Sequence, residues 1–199
     1  LPLDDSDGHI SGFAFDDIKG KLDSFDAILI GPGIGRSDDT ISFVKDILKN
    51  SNVPVIVDAD SLFAVALDKD ILRNCTCDLI FTPHAIEMSR LTGLDISYIE
   101  QNRLQVAKEF SEEIGAVLLL KGHHSIVTAP SLVQYINNTG NSGMASGGMG
   151  DVLAGIVSAL VARGIDGAKA TVVAAYIHGL AGDIAKIRYG AESLSAKDV

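Results

Sequence analysis

Short apolar runs that recur along the chain constrain its fold more than any other feature. Amphipathic helical patterns separate several of them, most clearly Asp38–Lys49 and Ser97–Ile114. Nearly continuous apolar strands that alternate with helices are typical of a parallel sheet covered on both faces. The pattern therefore predicts an α/β protein with a mostly parallel central sheet and three layers, α/β/α. The runs that we interpret as buried strands are Asp26–Gly31, Pro54–Asp58, Asp78–Thr82, Ala116–Leu120 and Ser125–Ala129.

The last third of the chain departs from simple β–α alternation. Leu132–Ile136 follows the last buried run across Pro130–Ser131, which predicts an antiparallel hairpin at the sheet edge. Two strongly apolar helices are then expected at about Asp151–Arg163 and Gly167–Lys186. We found no repeat or linker, and 199 residues suit one domain, so we expect residues 1–199 to form a single unit.

Composition narrows the possible partners and the cellular compartment. A net charge of −10 disfavours broad binding to nucleic acid or to an anionic membrane. No apolar run approaches the ~20 residues of a membrane span. Cys75 and Cys77 lack the usual zinc spacing and form no disulfide framework, so we expect reduced thiols and a cytoplasmic protein. The chain begins at Leu1 without a secretory leader, and we expect an upstream segment to be missing.

The glycine-rich stretch from Asn138 to Asp151 is the most informative motif. Glycine lets the backbone approach a ligand closely, and a helix N-terminus offers unpaired N–H groups that bind phosphate. Gly147, Gly148 and Gly150 directly precede Asp151, where an apolar helix is expected to start. A carboxylate at this position can take a proton from a hydroxyl group that attacks phosphorus. The alternative is that Asp151 is the N-cap of that helix.

Two common nucleotide-binding signatures are missing from the sequence. No glycine-rich loop ends in Gly-Lys-Ser or Gly-Lys-Thr, which excludes a Walker A loop. The loop Gly31–Arg36 follows a strand, but its spacing is not G-x-G-x-x-G, which disfavours a dinucleotide-binding dehydrogenase. It remains a candidate ligand contact at a strand end, or a tight glycine turn.

Acidic and histidine residues also follow the predicted strands. Asp58, Asp60 and Glu87 are candidates to hold Mg²⁺, which prefers hard oxygen ligands. Helix capping by Asp60 or Ser61, and a favourable helix dipole at Glu87, are the alternatives. His84 follows Pro83 and is typical of a turn residue.

The remaining histidines favour structural roles. His123 and His124 are adjacent, and adjacent strand residues point to opposite faces, so we do not expect them to share a metal. His178 lies inside an apolar helix and is predicted to be buried with one hydrogen-bond partner.

Taken together, these segments resemble the NAD(P)H-hydrate dehydratase family, a branch of the ribokinase-like superfamily. The matching pieces occur in the family's order and span Gly31 to Leu160, and Ala175–Gly182 continues the likeness. They read GPGIG, VDADSL, FTPHAIEMSRLTG, LLLKGHHSIV and NNTGNSGMASGGMGDVLAGIVSAL. The resemblance implies a ribokinase-like fold.

The resemblance also implies a reaction. Hydrated NADH or NADPH would be returned to the normal cofactor with ADP or ATP as co-substrate, through phosphorylation of the 6-hydroxyl group and phosphate elimination. Asp151 would be the catalytic base, and Glu87 would belong to the superfamily's Mg²⁺-associated element. The other implied contacts are Gly35, His84 and Asp151 with the hydrated dinucleotide, Lys121, Gly122, His123, His124, Ser125 and Gly150 with the adenine nucleotide, and Gly147, Gly148 and Gly150 with the transferring phosphoryl group.

The sequence departs from the family pattern in three places. Ala85–Ile86 and Ser142 stand where relatives often have Pro-Gly and proline. The strand and small-residue helix that normally open the family's domain are not found before Asp26. Two alternatives therefore stay open, a ribokinase-like kinase for a vitamin precursor or sugar and a non-catalytic nucleotide-binding module. The apolar C-terminal helices are either part of the core or a homo-oligomer interface, and we expect a homo-oligomer.

Overall fold

The computed structural model describes residues 3, 5–6, 8–130 and 132–199. Within these residues, six strands form one sheet in which spatial order follows chain order. They are β3 (Ile28–Ile30), β4 (Val55–Val57), β5 (Leu79–Phe81), β6 (Val117–Leu120), β7 (Ile126–Thr128) and β8 (Tyr135–Ile136). Each lies inside a run that the sequence predicts as a strand. A separate antiparallel pair, β1 (Asp5–Ser6) and β2 (His9–Ile10), precedes them.

The sheet is mostly parallel, as predicted. Strands β3 to β6 pair in parallel, whereas β7 pairs antiparallel with both β6 and β8. The predicted edge hairpin is therefore confirmed. Of its Pro130–Ser131 connection, Ser131 lies outside the described residues.

Helices cover both faces of the sheet, which confirms the three-layer α/β/α architecture. On one face of the sheet, alternate strand residues such as Val57 and Phe81 belong to the same hydrophobic core as Phe43 and Phe110, which lie in two of the helices. The other core joins the intervening residues, including Ile80, to the last two long helices. The helices are α1 (Ala14–Ile18), α2 (Asp38–Asn50), α3 (Asp60–Leu67), α4 (Ala85–Thr92), α5 (Ile96–Gln101), α6 (Arg103–Ile114), α7 (Met149–Ala162) and α8 (Gly167–Tyr189), and the 3₁₀ turns are Lys19–Ser24, Lys69–Asn74, Ser142–Met144 and Ala191–Ser193.

Local signals explain how α2 begins. The Ser37 side chain accepts a hydrogen bond from the Thr40 N–H, and acidic residues fill the first turn. Both features stabilise a helix N-terminus. The apolar face of α2, with Val44 and Leu48 fully buried, then packs on the sheet.

The prediction of one helix over Ser97–Ile114 is wrong. The structure has α5 and α6 there, with Asn102 between them at φ −126° and ψ 32°. The Asn102 side chain donates to the Tyr98 carbonyl and so competes with regular helical bonding. Leu104, predicted on the apolar face, is exposed, whereas Ile99 and Phe110 are buried.

Helices α1, α3 and α4 and the hairpin β1–β2 are additions to the sequence prediction. Helices α3 and α4 are each eight residues long and start directly after a strand end. Their first residues therefore belong to the same edge of the sheet as the predicted motifs. No helix in the described part of the chain is long and apolar enough to cross a membrane.

Candidate functional site

The carboxyl ends of the parallel strands gather the predicted motifs at one edge of the sheet. Gly31, Asp58, Thr82 and Lys121 each follow directly after one of the strands β3 to β6. Open α/β sheets bind ligands at this edge. The edge is therefore the candidate site.

The loop Gly31–Arg36 is fixed by close backbone packing and by Asp60. Gly31 has φ +130°, and a Cβ there would collide with the Asp58 carbonyl oxygen. The Gly35 N–H donates to Asp60 Oδ2 at 3.1 Å, and Arg36 Nε donates to Asp60 Oδ1 at 2.6 Å. Gly35, with φ +82°, also faces the His9 imidazole so closely that a Cβ would collide with it. Contacts with other segments of the chain therefore fix the conformation of this loop, which a tight turn alone would not require.

The segment Asp58–Ser61 is not organised as a helix cap. Ala59 is the N-cap residue of α3, with a positive φ of 49°. Asp60 binds the Gly31–Arg36 loop, and the Ser61 hydroxyl donates to the carbonyl oxygens of Ile30 and Asp58. The alternative in which Asp60 or Ser61 caps a helix is therefore wrong. A non-glycine residue at positive φ is strained, and such residues cluster at functional sites.

His84 and Glu87 form a reciprocal capping box at the start of α4. His84 Nδ1 accepts hydrogen bonds from the N–H groups of Ile86 and Glu87, and Glu87 Oε2 accepts the His84 N–H at 2.8 Å. The expected structural role of His84 in a turn is confirmed, because His84 is the N-cap residue of α4. Because Nδ1 is an acceptor, the neutral ring carries its hydrogen on Nε2, which lies 3.5 Å from Glu87 Oε1.

Lys121 is held between two buried carboxylates. Its Nζ lies 2.8 Å from Asp58 Oδ1 and 4.0 Å from Glu87 Oε2, and the side chains of Asp58 and Glu87 are 1% and 8% exposed. In the described residues no group of three or more acidic, histidine or cysteine side chains can hold a metal ion. The expected trio of Asp58, Asp60 and Glu87 is therefore not assembled, because Asp60 instead pairs with Arg36.

The segment Lys121–Ser125 is a tight turn rather than a strand end. Gly122 has φ +147° and His124 has φ +54°. Ser125 Oγ accepts the Gly122 N–H and donates back to the Gly122 carbonyl oxygen. The rings of His123 and His124 lie 3.9 Å apart between centroids. The two imidazole rings therefore lie side by side and do not point to opposite faces as predicted, because the segment is a turn and not a strand.

The glycine-rich stretch leads into α7, which begins at Met149. Gly148, with φ +86°, is its N-cap and Gly147 is exposed next to it. Asp151 is the third helical residue and is exposed, so it lies in the first turn of the helix, and the alternative in which Asp151 is the N-cap is wrong. A Cβ added at Gly150 would lie 3.3 Å from Lys121 Nζ. The N-terminus of α7 therefore meets the Lys121 ammonium group.

The remaining ionisable side chains fit their structural interpretations. His178 is 7% exposed, as predicted, and its Nε2 has no partner among the described residues. Burial lowers the pKa of His178, and a hydrogen bond to the Met149 backbone offsets part of that shift. Cys75 and Cys77 are free thiols, and burial raises the pKa of Cys77 to about 11.

Arg103 is a site residue that the sequence interpretation missed. Its Nη2 donates to the carbonyl oxygens of Leu120 and Lys121, and its guanidinium group lies under Gly122. The signal lies in α6 itself, because Arg103 falls three residues before Val106 and four before Ala107, on the buried face of that helix. A charged residue at an apolar position of that spacing needs a partner.

Comparisons with known proteins identify the family of this chain. Residues 10–199 match the family model for NAD(P)H-hydrate dehydratase. The bifunctional NAD(P)H-hydrate repair enzyme Nnr of Moorella thermoacetica is 41% identical over 96% of this chain and 36% of its own length. The ADP/ATP-dependent NAD(P)H-hydrate dehydratase of Bacillus subtilis, co-crystallised with ATP/Mg²⁺, superposes with a TM-score of 0.78 and 30% identity, over 86% of this chain and 60% of its own.

A ribokinase-like superfamily protein of Enterococcus faecalis superposes with a TM-score of 0.77 and 27% identity, over 95% of this chain and 65% of its own. The chain thus spans about a third of the bifunctional relative and less than two thirds of both solved structures. The expected ribokinase-like fold is confirmed. On the match over residues 10–199, the chain belongs to the NAD(P)H-hydrate dehydratase family.

Proposed function

We propose that this chain carries the ADP- or ATP-dependent dehydration of hydrated NADH or NADPH, a lyase reaction that repairs the cofactor. The observation that carries the proposal is the convergence of Lys121, Gly150 and the N-terminus of α7, with Asp151 exposed on the first turn. A lysine and unpaired N–H groups at a helix N-terminus stabilise the charge of a transferring phosphoryl group. The names of the relatives supply the substrate class.

The chemistry divides into two steps. The 6-hydroxyl oxygen of the hydrated ring attacks the terminal phosphorus of the nucleotide, and Asp151 takes the hydroxyl proton. The bond to the nucleotide's bridging oxygen breaks, and the N–H groups at Gly147, Gly148 and Gly150 hold the phosphoryl group. Phosphate then leaves the ring together with a proton from the neighbouring carbon, which restores the double bond of the reduced nicotinamide.

The adenine nucleotide is assigned to the turn Lys121–Ser125. Gly122, His123 and His124 are exposed on this turn, and Arg103 fixes the backbone beneath it. Gly35 and His84 would contact the hydrated dinucleotide. The His84 side chain is 47% exposed, and its Nε2–H group, 3.5 Å from Glu87 Oε1, can also donate to a ligand oxygen.

Mg²⁺ would enter with the nucleotide. Asp58 and Glu87 supply two carboxylates that converge on one point, and Mg²⁺ is commonly held by one or two carboxylates together with phosphates and water. The ion would neutralise phosphate charge. Glu87 and Asp58 fit such a role through water, since Lys121 contacts them directly.

A direct absorbance assay tests the proposal. The chain is incubated with hydrated NADH or NADPH and with ADP or ATP plus Mg²⁺, and absorbance is followed at the reduced nicotinamide band. Recovery of that band supports the dehydratase. Nucleotide consumption only with a vitamin precursor or sugar alcohol would show a ribokinase-like kinase. Nucleotide binding without turnover of any acceptor would show a non-catalytic module.

We also propose a homo-oligomeric, cytoplasmic protein of one domain. Exposed apolar side chains recur every three or four residues on one side of α8, which suits an interface between copies. They are Val173, Tyr176, Ile177, Leu180, Ile184 and Ile187. Free thiols at Cys75 and Cys77 support a reducing compartment. Sedimentation velocity checks the assembly, and a monomer at micromolar concentration would refute it.

A further inference from the structure

The glycine-rich stretch lies along one face of α8 before it reaches α7. Gly179 and Gly182 lie on that face, where a Cβ at Gly179 would collide with Thr139 and a Cβ at Gly182 with the Met144 side chain. The Thr139 hydroxyl donates to the Tyr176 carbonyl oxygen at 3.0 Å. The path of the stretch is therefore set by α8.

Both carboxylate oxygens of Asp183 accept hydrogen bonds from this stretch. Its Oδ2 accepts the Gly140 N–H at 2.9 Å, and its Oδ1 accepts Asn141 Nδ2–H at 2.9 Å. Hydrogen bonds to an ionised carboxylate are about twice as strong as neutral ones. The two bonds fix both the backbone and a side chain of the stretch.

Asn141 connects Asp183 to the part of the stretch that lies nearer to the phosphate loop. Its Oδ1 accepts the Gly143 N–H at 3.0 Å, which closes the 3₁₀ turn Ser142–Met144. Four residues separate that turn from Met149, where α7 begins. Glycine at 147 and 148 leaves this short connection with little stiffness of its own.

We propose that Asp183 is a positioning residue for the phosphate loop, acting through Asn141. It does not touch the substrates in this role. It holds Gly140–Gly143 so that the N–H groups of Gly147, Gly148 and Gly150 face the phosphoryl group before nucleotide binds. The inference rests on the proposed use of this loop for a nucleotide phosphate, and it adds the acidic residue that preorganises it.

The first test is Asp183→Asn. The new amide must turn one N–H group toward a donor, either the Gly140 N–H or the Asn141 amide, so one of the two hydrogen bonds is lost. We expect nucleotide affinity by calorimetry to fall by up to about 100-fold, the limit reached when the whole loss of a hydrogen bond to a charged group falls on the nucleotide-bound state. KM for nucleotide should rise with it. Asp166→Asn is the matched control, because Asp166 caps α8 and asparagine caps equally well.

The reciprocal swap separates positioning from mere loss of charge. Asn141→Asp alone places two carboxylates against each other and should also weaken binding. In the double variant Asp183→Asn/Asn141→Asp, the amide introduced at position 183 donates to the carboxylate introduced at position 141 and accepts the Gly140 N–H, so both hydrogen bonds can form again. We expect its nucleotide affinity to return to within about threefold of wild type, as coupled sites recover in a double-mutant cycle.

Hydrogen exchange makes the test independent of the reaction. Asp183→Asn should speed amide exchange across Gly140–Gly148, and the double variant should reverse this. A single variant with a lower melting temperature but unchanged exchange and nucleotide affinity would overturn the proposal, as would a double variant that recovers neither. If the wild-type chain binds nucleotide and Asp183→Asn weakens that binding, but the chain never dehydrates the hydrate, the proposed function fails and the positioning role stands.

Discussion

The ammonium group of Lys121 lies 2.8 Å from a carboxylate oxygen of Asp58, and the Asp58 side chain is only 1% exposed. Glu87 adds a second carboxylate at 4.0 Å from the same nitrogen. The N-terminus of α7 carries the positive end of the helix dipole, which repels the Lys121 ammonium group. The Asp58 and Glu87 carboxylates offset this repulsion. Lys121 is thus held ready for an anion by residues from two other strand ends.

Replacing Lys121 should therefore damage both stability and binding. Lys121→Met leaves Asp58 buried without its cation, which typically costs ~3–5 kcal/mol of the free energy of unfolding. Urea unfolding measures this loss, and calorimetry should show weaker nucleotide binding. Adding Asp58→Asn removes the unpaired charge, so the double variant should recover stability while nucleotide affinity stays low. Recovery of both would mean that Lys121 serves the fold alone.

Two glycines of α7 provide a matched pair of substitutions. Gly150→Ala and Gly155→Ala should each gain up to ~1 kcal/mol from helix propensity. At Gly150 the added Cβ lies 3.3 Å from Lys121 Nζ, whereas at Gly155 it meets no other group within 4 Å among the described residues. We expect Gly150→Ala to weaken ADP or ATP binding and Gly155→Ala to leave it unchanged. Equal affinities by calorimetry would remove Gly150 from the nucleotide site.

The strands could be predicted because each is a short apolar run with a polar or glycine residue at its end, whereas their order in the sheet was not predicted. The single helix over Ser97–Ile114 was wrong because periodicity does not detect the Asn102 side chain that competes with the backbone. Helices α3 and α4 are short, and their apolar residues form no long amphipathic pattern. Propensity and periodicity are local, so such elements depend on tertiary packing.

The sequence names candidate residues at the strand ends but not the contacts between them. Glycine, lysine and aspartate motifs point to the strand ends, since the topology alone brings those ends together. Pairing depends on distance in space, so nothing in the sequence distinguished Asp60, which binds Arg36, from Asp58, which binds Lys121. The same holds for Asp183, which is 43 residues from Gly140 along the chain.

Stability should fall in mild acid because of His178. Burial lowers the pKa of His178 from its usual 6.5, so the unfolded chain binds a proton more readily than the folded one. The contribution is fully present above pH 6.5 and is lost as pH falls below it toward the folded-state pKa. Between pH 7.5 and 5.5 the free energy of unfolding should drop more for wild type than for His178→Gln. Parallel pH dependences would show that His178 does not titrate in this way.

Asp151 is the decisive test of mechanism, because its position in α7 separates chemistry from helix capping. Gly148 is the N-cap, so Asp151 supports the helix only through its charge near the N-terminus, worth about 0.3–1 kcal/mol at an exposed site. Asp151→Asn keeps the side-chain shape but cannot accept a proton at neutral pH.

General-base contributions are typically ~10²–10⁴-fold in rate. We therefore expect Asp151→Asn to lose at least about a hundredfold in turnover of the hydrated dinucleotide. Its melting temperature should stay within a few degrees of wild type, since about 1 kcal/mol moves a domain of this size by ~2–4 °C. Nucleotide affinity should be preserved or slightly improved, because a negative charge is removed beside a phosphate site. Asp38→Asn, in the first turn of α2, is the control for the loss of one such helix charge. Turnover that survives in Asp151→Asn would assign the proton transfer to another group and leave Asp151 as a dipole partner of α7.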